Sequence, residues 1–166
     1  QEDKLFWILF YIRNGYVEYN MVGSNSYSVE IEEKIKLTSL LKEKKSIFKD
    51  YKLKKINDCI NEMLSNKEIS FKTFELLAII YNINFIVIKD NMFHKLIFDD
   101  SQKVYVIHIV NSMYGCEEIN IENINNYQIN RYNIENYDKP IAAIGSFKVD
   151  ELIKISTDLS ISIESD

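Results

Sequence analysis

Apolar residues run unbroken from Leu5 to Ile12, LFWILFYI, between Asp3-Lys4 and Arg13-Asn14-Gly15. A segment apolar on every side is stable only when enclosed, so it predicts a short helix at the centre of the core. Asn14-Gly15 supplies the stop, because glycine accepts the left-handed position after a helix. Tyr16–Asn20 reads as a short aromatic piece and Gly23-Ser24-Asn25-Ser26 as a turn. Tyr27, Val29 and Ile31 alternate, which predicts a brief strand.

The pattern then turns helical. From Glu32 to Asp50, Leu37, Leu40, Leu41, Phe48 and Tyr51 fall on one stripe, and Lys42, Glu43, Lys44 and Lys45 form a solvated face. A second amphipathic helix spans Leu53–Leu64, with Leu53, Ile56, Ile60 and Met63 on its apolar side. Ser70 is placed to cap a third, Phe71–Tyr81, whose apolar residues cover almost its whole circumference. Asn82-Ile83-Asn84 breaks it.

Phe85–Ile88 is a fully apolar strand. Asp90-Asn91 turns the chain into a strand over Met92–Phe98, and Asp99-Asp100-Ser101 turns it into another over Lys103–Val110. Short turns between consecutive strands predict an antiparallel meander. In the last of these, Val104, Val106, His108 and Val110 share one face and Tyr105, Ile107 and Ile109 the other, so it belongs inside the sheet. Asn111–Cys116 reads as a loop and Tyr127–Ile134 as a strand candidate. The sole proline, in Asp138-Lys139-Pro140, marks a boundary. The expected organisation is one domain over 1–140 and a C-terminal helix and tail over 141–166. That helix is capped by Ser146 and covers Val149–Thr157. The fold class is α+β, with N-terminal helices packed on the meander.

Composition narrows the function classes. A net charge of −5 argues against a general nucleic-acid coat, which carries a basic excess. The longest apolar run, eight residues, is far short of the roughly 20 that a membrane span needs. Glu2 and Asp3 precede it where a signal peptide would be basic, so no membrane role is expected. The two cysteines, Cys59 and Cys116, lie far apart without a C-x-x-C, which suits a reducing compartment. With two histidines they fit no zinc-finger spacing, and no metal or cofactor is expected. There is no P-loop, no G-x-G-x-x-G and no G-x-S-x-G.

Each candidate for chemistry has a plainer reading beside it. His108, among valines, is either a core histidine or a general base that needs a nucleophile opposite. His94 reads as surface or half-buried. Cys59 packs beside an apolar stripe. Cys116 precedes Glu117-Glu118, and neighbouring carboxylates disfavour a thiolate. Asp99-Asp100 and Glu117-Glu118 are acid pairs of the kind usually solvated in turns. The Tyr- and Asn-rich stretch between 111 and 137 suits either protein recognition or sheet packing.

The order of elements resembles the papain-like cysteine peptidases, and the ovarian-tumour (OTU) deubiquitinases most. Asp3 with LFWILFYI is similar to their first central helix, which carries the nucleophilic cysteine, often with an aspartate just before it. SFKTFELLAIIYNINFIVIKD is similar to their helix running straight into a strand. KVYVIHIV, with His108, is similar to the strand that carries the catalytic histidine. The chain also looks like a group of proteins from large nucleocytoplasmic DNA viruses. Those share a Phe-Trp-Cys-Phe-Tyr-Ile-type segment, a segment like Lys72–Lys89 and a segment like Lys139–Leu152.

Here Ile8 stands where that group has cysteine, and an aliphatic side chain cannot attack a carbonyl. The resemblance therefore implies a degenerate site at Asp3, Ile8 and His108. The implied role is a non-catalytic viral binding or structural protein with a protein partner, ubiquitin-like or viral, in the host cytoplasm or the virion. Two alternatives stay open. One is an active cysteine peptidase or deubiquitinase using Cys59 or Cys116. The other is a nucleic-acid-associated factor, because FKVDELIKISTDLSI resembles the first helix of a SAP-type motif, with Lys148 and Lys154 as its only basic residues.

Overall fold

The computed structural model describes residues 3–46, 56–65, 68–98, 103–135, 137 and 144–162. The chain divides into two compact units, Gln1–Asn82 and Ile83–Asp166. The first is built of helices and the second carries a five-stranded mixed sheet, so the chain is α+β. The boundary expected at Pro140 lies outside the described residues.

In the first unit α1 spans Lys4–Met21. Asp3 caps it, its side chain accepting from the Phe6 N–H at 3.1 Å. Leu5 to Phe10 are all buried, as an all-apolar segment requires. Asn14-Gly15 ends the first helical segment, as expected, and a second follows across the kink. Gly15, at φ 84° and ψ 175°, absorbs the break at a backbone angle that costs glycine little, and helix resumes to Met21.

After a 3-10 turn at Gly23–Asn25, α2 spans Ser26–Glu43. The strand expected over Tyr27–Ile31 is therefore helix. Three alternating positions are too few to separate the two periods, and the buried set Lys34, Leu37, Thr38 and Leu41 recurs at helical spacing. Phe48, Tyr51 and Leu53 lie outside the described residues. Helix α3 spans Ile56–Leu64, burying Cys59, Ile60 and Met63. Helix α4 spans Phe71–Ile80, capped as expected by Ser70, whose hydroxyl accepts from the Thr73 N–H. Helix α1 packs on α4, α2 on α3, and α3 on α4.

In the second unit β1 spans Asn84–Lys89, β2 Met92–Leu96, β3 Lys103–Val110, β4 Met113–Asn120 and β5 Tyr132–Asn133. The sheet order is β4-β3-β1-β2-β5. The expected meander is corrected here: β3 pairs with β1, in parallel, and not with β2. Strand β1 thus lies between its hairpin partner β2 and β3, and the chain changes sides of β1 between Leu96 and Lys103. Two strand spacings, about 10 Å, are within reach of so short a link. Asn84, 1% exposed at the start of β1, accepts from the Phe98 N–H at 2.7 Å and ties the crossing down.

Strand β4 is the second correction, since Met113–Cys116 reads as loop in the sequence. The turn needs only Asn111 and Ser112, both at positive φ (49° and 64°), the geometry of a two-residue hairpin. The register then runs from Val110↔Met113 to Lys103↔Asn120. The strand candidate at Tyr127–Ile134 resolves into a short helix α5, Ile124–Gln128, followed by β5. Ile86, Ile88, Phe93, Val104, Val106 and Ile124 form one core cluster, with Ile119 and Tyr127 packed against it. The opposite face buries Phe85, Val87, Ile107 and Ile109. The last helix, α6, spans Val149–Asp158; its cap position is Lys148 and not Ser146, and the Glu151 carboxylate accepts from the Lys148 N–H at 2.7 Å.

Replacing Asn84 with Ala leaves the Phe98 N–H without its acceptor. The expected cost is about 1–3 kcal/mol, read by urea unfolding followed by far-UV circular dichroism. A change within about 0.5 kcal/mol of zero, the range of ordinary surface substitutions, would show that the crossing does not depend on this bond.

Candidate functional site

Two of the polar side-chain clusters bear on the candidate residues, one in each unit. The first surrounds the cap of α1. Asp3 and Lys34, each with a side chain only 2% exposed, form an ion pair at 2.7 Å. The other Asp3 contacts are N–H donors: Phe6 on its own helix, and Ile69, 2.9 Å away in the connection before α4. Lys34 also pairs with Glu30 one turn back along α2, at 2.8 Å. The other carboxylate oxygen of Glu30 accepts from the Trp7 indole N–H at 2.9 Å. The Lys34 ammonium lies 5.4 Å from the centre of the Phe6 ring. Burial pulls the Lys34 pKa down, but hydrogen bonds and charges from Asp3 and Glu30 outweigh it and leave it raised. With its oxygens committed to N–H donors and an ammonium, Asp3 serves as a structural anchor.

Ile8, 9% exposed, is the fifth residue of that helix, one turn past the cap. A cysteine at the first turn of a helix gains from the positive end of the dipole, an effect that falls off within that turn. Asp3 and Ile8 belong to the first unit and His108 to the second.

The second cluster is centred on His108. In the β3–β4 register His108 faces Gly115, and Glu117 lies two residues further along β4 on the same side. The His108 Nε2 meets Glu117 Oε1 at 2.7 Å. Tyr127, from α5, donates its hydroxyl to the same oxygen at 3.0 Å. These two hydrogen bonds, that from His108 first, hold the Glu117 carboxyl below its ordinary pKa. The histidine and tyrosine rings lie 6.0 Å apart. A histidine oriented by a carboxylate is the base-and-orienter half of a hydrolase triad.

Neither thiol supplies the third member. Cys116 pairs with Ile107, so strand alternation puts it on the opposite face from His108. Burial, then the charges of Glu117 and Glu118, push its thiol up to about 12. Cys59 is 1% exposed in α3, and burial raises its pKa as well.

Two of the remaining candidates have structural partners. His94 is half-buried, and its Nδ1 lies 2.9 Å from the Ile134 carbonyl. Glu118 pairs with Lys103. Asp99 and Asp100 lie outside the described residues. Helix α6 carries Asp150, Glu151 and Asp158 beside Lys154, without a basic stripe. Among the described residues no group of three or more His, Cys, Asp or Glu side chains could hold a metal ion, and no helix is long and apolar enough to cross a membrane.

The sequence brings His108 into view but not Glu117 as its partner, because that contact depends on β4. Lys34 and Glu30 also escape the sequence reading. The available signal was a lysine standing in the stripe of Leu37 and Leu41, three and seven residues ahead of them. No family model, curated protein or solved structure matches the chain.

Lys34→Met removes the ammonium from the buried Asp3 carboxylate and from the half-buried Glu30. The expected loss is about 3–5 kcal/mol, read by urea unfolding followed through Trp7 fluorescence. Adding Asp3→Asn should recover part of it. A loss under about 1 kcal/mol, as for an exposed pair, would contradict the buried network.

The thiol chemistry gives a pH test. With a pKa of about 12, Cys116 is about one part in ten thousand thiolate at pH 8. Its alkylation by iodoacetamide should be correspondingly slow and should rise about tenfold per pH unit up to pH 11. The unfolded thiol ionises near 8.5, so between there and about 12 the unfolded state binds fewer protons and stability falls as pH rises. A rate that levels off near pH 9 would overturn this assignment.

Proposed function

We propose that this chain is a non-catalytic binding domain of papain-like or OTU-like descent. It serves a large nucleocytoplasmic DNA virus through protein–protein contacts in the host cytoplasm or the virion. The observation that carries the reading is the half-triad. His108 and Glu117 lie in contact as a base and its orienter would, while Ile8, aliphatic and buried, stands where the resembling viral group has cysteine. Both thiols of the chain are raised in pKa, the opposite of what a nucleophile needs.

Support for binding comes from the surface of the first unit. Tyr16, Val17 and Met21 of α1 and Tyr27 of α2 are 61–73% exposed. Exposed Asn14, Asn20, Ser24 and Asn25 accompany them along the chain. Tyrosine provides large contact area at low entropic cost, and Asn and Ser provide adaptable hydrogen bonding, the mixture that recognition surfaces favour.

Two measurements test the proposal. A ubiquitin- or peptide-based electrophile should form no adduct with Cys59 or Cys116 in the folded protein, and a specific adduct on either would restore the active-peptidase reading. In affinity capture from infected cells, the triple variant Tyr16→Ser, Met21→Ser, Tyr27→Ser should lose its specific partner by about tenfold or more while keeping the wild-type circular dichroism. Undiminished capture would remove this surface from the proposal.

A further inference from the structure

We draw no further inference here: the strongest candidate, the outer edge of β4 over Gly115–Asn120, which ends the sheet among the described residues, carries nothing because nothing in the structure shows what covers it.

Discussion

The first unit depends on a charge that has no water to sit in. Hydrophobic burial drives the helices together, but it is non-directional and does not choose among registers. The Lys34 ammonium does choose. It needs oxygens within hydrogen-bonding distance, and they come from Asp3 at the start of α1 and Glu30 on its own helix. Asp3 in turn holds the Ile69 N–H ahead of α4. One buried pair therefore fixes where α1 begins, how α2 lies beside it, and where the chain enters α4. The three ionised groups sum to one negative charge. Two backbone N–H groups and the Trp7 indole donate to its carboxylates, and the positive end of the α1 dipole favours that sign. Breaking such a network costs more than its net contribution to stability, since apolar residues of equal volume would escape the desolvation cost.

The second unit meets a comparable constraint through backbone geometry. A parallel β1–β3 pair joined through β2 leaves a short link to cross an end of the sheet, and its amides must find acceptors. Asn84 supplies one from a buried position that an apolar residue would otherwise occupy. The two hairpins turn on residues at positive φ: Asp90 between β1 and β2, Asn111 and Ser112 between β3 and β4. No glycine is needed at these turns. The chain has only four, and Gly115 sits within β4, beside His108 across the hairpin.

What was legible in the sequence was whatever burial alone decides. LFWILFYI had to be enclosed, and Leu5–Phe10 are. The apolar circumference of Phe71–Ile80 had to be buried on most sides, and all but three of its ten residues are. The strands at Phe85 and Lys103 also follow from their apolar runs. What was not legible is pairing. Local turns say that neighbours in sequence are neighbours in space, yet β3 leaves β2 for β1 because β1, apolar on both faces, is the strand that most needs covering on both edges. The chemistry was lost along with the pairing. Val106 faces Glu117 and His108 faces Gly115 only once Met113–Asn120 is a strand, so a carboxylate that is solvated as read, its side chain 48% exposed, is also the partner of the histidine.

That pairing also limits what the site can do. A base and its orienter act by taking a proton from a nucleophile within hydrogen-bonding reach. The nearest thiol in sequence to Glu117 is Cys116, and strand alternation sends it through the sheet to the other side. No rotamer change brings it back, because the backbone would have to slip by one residue. Such a slip would turn Ile119 off the face where it packs against the core cluster. A thiol held up to about 12 by burial and two neighbouring carboxylates is displaced in ionisation as well as in position. The sheet that places Glu117 beside His108 is the same sheet that withholds Cys116 from it.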